Sequence, residues 1–188
     1  MSHEAITLHT KTNFSLGYRT NMATAVTEPV ILIVDDSEDD VLLIRTAFEK
    51  AGITNPVHVL HDGQEAIDYL SATAAFTNRA EHSLPDLILL DLKMPRMDGF
   101  QVLDWIRKQP GIRSIPVVVL TTTQEMAEVN RAYAIGANSF LVKPMEFGNY
   151  VELSKLIRRY WMQSVRLPET FRPPPTPSGK PQAANGLP

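Results

Sequence analysis

The sequence predicts an α/β fold, a doubly wound, five-stranded parallel sheet with five helices in a three-layer sandwich. Five short apolar runs, each bounded by turn residues, alternate with five stretches of helical periodicity. The runs at 30–34, Leu87–Leu90 and 116–120 are continuous rather than alternating, which is typical of strands buried on both faces. Right-handed crossovers between parallel strands would then place helices on both sides of the sheet.

The first half of the chain holds two strand–helix units. Residues 30–34 form the first predicted strand, and Ser37 is the expected N-cap of a helix whose apolar residues recur at spacings of three and four. Gly52 ends this helix. A strand at Val57–Leu60 and a short helix follow, and then a polar, irregular surface loop of unusual length at 71–83.

The second half repeats the alternation. Its predicted strands and helices are Leu87–Leu90, 101–108, 116–120, 124–135, Ser139–Val142 and 146–162. The inward faces of the last two helices are expected to use Val129, Ala132 and Tyr133, and then Tyr150, Leu153, Ile157 and Trp161.

Composition limits the classes of function. The chain has 188 residues and 44% hydrophobic residues, enough for one domain with tails. It has no cysteine, which excludes disulfides, thiolate metal sites and a cysteine nucleophile. A net charge of −3 gives no general attraction to nucleic acid, and no apolar run approaches the ~20 residues of a membrane helix. We expect a cytoplasmic protein with neither nucleic-acid nor membrane partners.

The expected domain occupies residues 29–163. Residues 1–28 are polar and without sustained periodicity, and we interpret them as a disordered arm. Met22 is a hypothetical alternative start. Residues 164–188 are proline-rich and are interpreted as a disordered tail.

Polar side chains follow four of the predicted strands. Asp35 and Asp36 follow the first strand, Asp91 the third, Thr121 the fourth and Lys143 the fifth. The carboxyl ends of parallel strands share one edge of the sheet, where open α/β sheets bind ligands. Any one of these acids could instead cap a loop.

Three neighbouring carboxylates repel one another unless a cation lies between them. Mg²⁺, or Mn²⁺, takes oxygen ligands of this kind together with phosphate oxygens. Asp91 could then attack a phosphoryl group as a carboxylate nucleophile. The Lys143 ammonium and the Thr121 hydroxyl would stabilise the phosphoryl oxygens.

The chain resembles the receiver domain of two-component response regulators. The resemblance rests on the Asp35-Asp36 pair, Asp91 in LLDLKMP, Asp98-Gly99, Thr121 in VVVLTT, and Lys143 with Pro144 in GANSFLVKP. It implies a flavodoxin-like sheet with the strand order 2-1-3-4-5.

The resemblance also implies roles for individual residues. Asp91 would accept a phosphoryl group from a histidine kinase. Asp36, Asp91 and the carbonyl of Lys93 would bind Mg²⁺ directly, and Asp35 largely through water. Lys143 would contact the phosphate, and its bond to Pro144 would be cis.

A switch is implied as well. Thr121 would move toward the phosphoryl group and the strand-five aromatic, here Phe140, would rotate inward. Phe140 has no hydroxyl, which puts any tyrosine-dependent step in doubt. The alternative interpretation is that Phe140 is simply a core residue. Thr122, Met94 and Pro144 are expected to modulate the site, with Thr122 hindering attack by water.

The long polar loop and the motifs around Asp91 resemble single-domain regulators paired with phytochrome-type or other sensor kinases. Such regulators often form homodimers through the fourth helix, fifth strand and fifth helix, where Tyr133, Tyr160 and Trp161 could contribute. Apart from its own phosphorylation and dephosphorylation, the protein is not expected to be an enzyme. A phosphatase or phosphotransferase with an aspartyl intermediate, and a module that dimerises without phosphorylation, remain alternatives.

Overall fold

The computed structural model describes residues 28–168. The predicted N-terminal arm, apart from Glu28, and the predicted tail beyond Pro168 lie outside the described residues. The described chain forms a five-stranded parallel sheet in the order β2-β1-β3-β4-β5, which confirms the expected order. The strands are β1 (Ile31–Val34), β2 (Val57–Leu60), β3 (Leu87–Leu90), β4 (Val117–Thr121) and β5 (Ser139–Val142).

Five α-helices cover the two faces of the sheet. They are α1 (Glu38–Lys50), α2 (Gly63–Ser71), α3 (Gly99–Lys108), α4 (Met126–Ile135) and α5 (Phe147–Ile157). One hydrophobic cluster joins the sheet to α1 and α5, and the other joins it to α2, α3 and α4. Alternate residues of β1 and β3 point into the two clusters, so both strands are buried on both faces.

Side-chain caps begin the helices that follow the first three strands. Ser37 accepts a hydrogen bond from the Asp40 N–H at the start of α1, and Asp62 accepts one from Gln64 at the start of α2. Asp98 and Gln101 form a reciprocal capping box at the start of α3. These caps fix the points at which the chain leaves the carboxyl edge of the sheet.

The predicted inward face of α4 was wrong at Tyr133. That side chain is half exposed, and Ala132 is the one fully buried residue of this helix. The helix is ten residues long and packs against β5 and α3 mainly through Ala132. Tyr133 therefore lies on the outer surface.

Two other segments differ from the prediction in their helix type or regularity. The polar loop contains a 3-10 helix at Ala74–Phe76, and the Arg79 guanidinium donates to the carbonyls of Tyr69 and Leu70 at the end of α2. After Ile157 the last helix continues as a π-helix over Arg158–Ser164. The expected apolar stripe of α5 is present, with Tyr150 and Ile157 buried.

The structure corrects one implied feature of the backbone. The residues described here contain no cis peptide bond, so the bond between Lys143 and Pro144 is trans. A peptide bond before proline prefers the trans form by only about 0.5–1 kcal/mol, so sequence alone does not fix it.

Every helix in residues 28–168 is too short or too polar to cross a bilayer.

Candidate functional site

Three acidic side chains meet at the carboxyl edge of the sheet. Asp35 and Asp36 follow β1 and Asp91 follows β3, the strand beside it. One carboxylate oxygen from each lies within 4.8 Å of the others. Asp35 and Asp91 are buried, whereas Asp36 is exposed. The group therefore opens to solvent on the side of Asp36.

Lys143 places a buried ammonium among these acids. Its Nζ lies 2.8 Å from Asp35 Oδ2, 2.9 Å from Asp91 Oδ2 and 2.7 Å from Asp40 Oδ2. The backbone N–H of Lys143 donates to the backbone carbonyl of Thr121 at 2.8 Å, which holds the lysine at the end of the sheet. The strand ends thus bring the lysine and the acids together as the sequence predicted.

Local backbone turns orient the two buried carboxylates. Asp35 Oδ1 accepts from the Ser37 N–H at 3.1 Å, and Asp91 Oδ1 accepts from the Lys93 N–H at 3.2 Å. Each bond joins a side chain to the backbone two residues later, as in an Asx turn. The second oxygen of each carboxylate is left for Lys143.

The electrostatics of the site favour an additional cation. Burial raises the pKa of Asp35 above its ordinary value, and the Asp91 charge adds to this, against the opposing effect of Lys143. Burial alone would lower the pKa of Lys143, but hydrogen bonds to Asp35 and Asp40 outweigh it and raise that pKa. One ammonium therefore serves more carboxylates than it can neutralise. The oxygen-only donor set of Asp35, Asp36 and Asp91 fits a divalent metal.

The other residues singled out in the sequence surround this group. Thr121 is fully buried, and its Oγ1 has no hydrogen-bond partner among the described residues. Thr122, one residue later, is exposed. Phe140 is partly buried against the cluster formed with α2, α3 and α4.

The remaining candidates lie in the loops after β3 and β5. Met94 is buried in the same cluster as Phe140. Pro144 is partly buried next to Lys143. The Lys93 side chain forms an ion pair with Glu128 on α4, whereas its backbone N–H donates to Asp91.

Sequence reasoning missed the role of Asp40. It treated this residue as one of several acids in the first turn of α1, where the helix dipole favours negative charge. The structure shows that Asp40 also contacts Lys143, which is 103 residues away in the chain. Spacing within α1 carries no sign of that long-range contact.

His61 was also missed. Its Nδ1 lies 3.0 Å from the backbone carbonyl of Asp35, and it follows β2 at the same edge of the sheet. The ring thus supports the backbone of the acid pair from the neighbouring strand.

Known proteins share this sequence pattern and this geometry. The sequence profile of the family described as "Response regulator receiver domain" matches residues 31–155. The chain is 39% identical over 139 residues to the probable methanogenesis regulatory protein FilR2 of Methanothrix harundinacea, covering 74% of this chain and 87% of that protein. It is 34% identical to the response regulator Rcp1 of Synechocystis sp., covering 74% and 92% of the two chains.

Solved structures give the same result. The Mn²⁺-bound form of Rcp1 superimposes with a TM-score of 0.68 at 33% identity, covering 75% of this chain and 99% of that one. The bacteriophytochrome response regulator AtBRR superimposes with a TM-score of 0.61 at 39% identity, covering 76% and 99%. In these comparisons the similarity spans nearly the whole length of each relative.

Proposed function

Because the chain belongs to the response regulator receiver domain family, we propose that it relays a signal by accepting a phosphoryl group on Asp91 from a histidine kinase. Receiver domains are signalling proteins that histidine kinases phosphorylate. The observation that carries this proposal is the position of Asp91, which is buried beside two other acids with its Oδ2 2.9 Å from the Lys143 ammonium.

In the proposed step, a carboxylate oxygen of Asp91 attacks the phosphorus of a phosphohistidine. A new O–P bond forms as the P–N bond breaks, and the imidazole nitrogen keeps the electron pair and takes a proton. Lys143 then stabilises the negative phosphoryl oxygens. Its ammonium already lies 2.9 Å from Asp91 Oδ2, next to the carboxylate that would carry the phosphoryl group.

We propose Mg²⁺ or Mn²⁺ as the cation, bound by Asp36, Asp91 and the carbonyl of Lys93, with Asp35 acting largely through water. A divalent ion at this site would neutralise charge between the carboxylates and the incoming phosphoryl group. The Mn²⁺-bound form of Rcp1 supports such a site in a relative.

The output of the proposed phosphorylation is a change in partner binding. The unpartnered, buried Thr121 hydroxyl supports a role as the group that turns toward the phosphoryl oxygens. Phe140, which is partly buried against the neighbouring hydrophobic cluster, is proposed to follow it inward. Thr122, exposed beside Thr121, and the neighbours Met94 and Pro144 are proposed to tune how long the phosphoryl group persists.

We further propose that residues 29–163 act as a single-domain regulator in the cytoplasm and pair with a phytochrome-type or other sensor kinase. AtBRR and Rcp1 support this assignment because AtBRR is a bacteriophytochrome response regulator and both relatives are matched over most of their length.

Dimerisation through α4, β5 and α5 is a separate proposal. Tyr133, Val142, Met145 and Tyr160 are large apolar side chains that are exposed on or next to these elements. Trp161 packs edge-on against Tyr160, with ring centroids 5.0 Å apart. Sedimentation should detect a dimer that Tyr133→Ser together with Tyr160→Ser dissociates; a monomeric wild type would contradict the proposal.

Phosphotransfer to the purified protein tests the central proposal. Wild-type protein incubated with acetyl phosphate and Mg²⁺ should gain the mass of one phosphoryl group, and hydroxylamine should remove it. Asp91→Asn should gain none, whereas Asp104→Asn, which removes a half-exposed acid on α3, should behave as wild type. Equal mass gain in wild type and Asp91→Asn would contradict the proposal.

A further inference from the structure

The Lys143 ammonium is fully engaged. An ammonium group has three N–H donors, and Lys143 has three carboxylate partners within 2.9 Å, namely Asp35, Asp40 and Asp91. The Lys143 side chain is only 3% exposed, so water cannot readily take the place of a carboxylate. A phosphoryl oxygen can therefore bind the ammonium only if one of these three carboxylates gives up its hydrogen bond to Lys143.

Asp40 differs from the other two partners of Lys143. Asp35 and Asp91 belong to the group of acids whose oxygens lie within 4.8 Å of one another, and Asp40 does not. Its side chain is 26% exposed, and its ion pair in the described structure is with Lys143. A cation bound among the other acids would thus engage Asp35 and Asp91 and leave Asp40 on the lysine.

We propose that Asp40 is a positioning residue that competes with the phosphoryl group for the Lys143 ammonium and so weakens the hold of the site on that group. This inference rests on the proposed function. Asp40 Oδ2 lies 2.7 Å from Lys143 Nζ. A phosphoryl oxygen on the same nitrogen would lie within a few ångströms of the Asp40 carboxylate, and two negative groups at that separation repel each other.

Asp39 provides a matched control. It precedes Asp40 in the first turn of α1 and carries the same charge, but it is exposed and forms none of the described ion pairs with Lys143. Asp39→Asn and Asp40→Asn therefore remove equal charge from the same helix terminus. Only Asp40→Asn removes a negative charge that is in contact with the Lys143 ammonium.

The probe is beryllofluoride, a stable analogue of the phosphoryl group, and the readout is its dissociation constant from ¹⁹F NMR or calorimetry. Titrations at saturating Mg²⁺ and fixed ionic strength separate this effect from changes in metal affinity. We expect Asp40→Asn to bind beryllofluoride about tenfold more tightly than Asp39→Asn. Asp40→Glu, which restores the charge, should stay within about threefold of wild type.

A gain in affinity is a result that structural damage does not produce. Asp40→Ala, which removes the carboxylate as an acceptor as well as its charge, should also bind more tightly than Asp39→Asn. The inference would be overturned if Asp40→Asn and Asp40→Ala bound beryllofluoride as Asp39→Asn does, or more weakly. In that event, phosphorylation of wild type at Asp91 would leave the proposed function standing. If wild type neither binds beryllofluoride nor accepts a phosphoryl group, both fall.

Discussion

Gly99→Ala should destabilise the protein because Gly99 lies against the backbone that carries Asp91. A Cβ at this position would lie 2.1 Å from the Asp91 carbonyl oxygen and 2.8 Å from the Leu92 Cα. Ordinary contacts of this kind begin at 3.4 Å. The start of α3 and the end of β3 must therefore separate by more than about 1 Å, against close packing on both sides.

The displacement has a structural cost and a functional one. The Gly99 N–H donates to the Leu92 carbonyl at 3.2 Å, and that bond would lengthen or break as the segments part. Overpacking typically costs about 1–3 kcal/mol. A clash with backbone rather than with a flexible side chain belongs at the upper end, so we expect a loss of about 3 kcal/mol. Because the clash is with Asp91 itself, phosphorylation should also slow.

Urea unfolding followed by circular dichroism measures the loss of stability, and mass spectrometry with acetyl phosphate measures the rate of phosphorylation. Gly148→Ala is the control, because a Cβ at Gly148, within α5, would meet no heavy atom within 4 Å. That variant should be unchanged, or more stable by up to about 1 kcal/mol, through the better helix propensity of alanine. A Gly99→Ala protein within about 1 kcal/mol of wild type would refute the reasoning.

Three further predictions concern single side chains. Thr122→Ala should speed loss of the phosphoryl group, measured as the decay of phosphorylated mass, and an unchanged rate would count against hindrance of water. Arg79→Ala should lower the free energy of unfolding by about 2 kcal/mol, because its guanidinium donates to the Tyr69, Leu70 and His82 carbonyls; Arg79→Lys should recover only part, and equal urea midpoints would contradict this. Burial raises the pKa of Tyr69 to about 12, above its ordinary value of 10.0, so the folded state favours the neutral phenol. The stabilisation that follows from this raised pKa is fully present below pH 10 and is lost as the pH rises toward 12. Unfolding measured as a function of pH should show this loss in wild type and not in Tyr69→Phe.

The sheet could be predicted closely because its three central strands, β1, β3 and β4, are buried and almost entirely apolar. β2, β3 and β5 have the predicted bounds, β1 begins one residue later than predicted, and β4 is shifted by one residue. A short, continuous apolar run is what a strand buried on both faces requires, so the run itself marks the position of the strand. The site followed from the same reasoning, since it consists of the residues that come directly after the strands.

Contacts between distant segments were not predictable in this way. Tyr133 fits the apolar spacing of α4, yet the helix buries so little surface that the ring stays outside. Hydrogen bonds from Arg79 to the end of α2 fix the polar loop, and these bonds cannot be predicted from its polar composition. Asp40 reaches Lys143 only because the fold brings α1 beside the end of β5.

The central claim is that Asp91 itself becomes phosphorylated. Borohydride reduces an aspartyl phosphate to homoserine, so treating the phosphorylated protein and sequencing its peptides by mass spectrometry locates the modified residue. The account predicts homoserine at position 91 in samples that received phosphodonor and Mg²⁺, and aspartate there in samples with chelator. Homoserine at another acid, or at none, would contradict it.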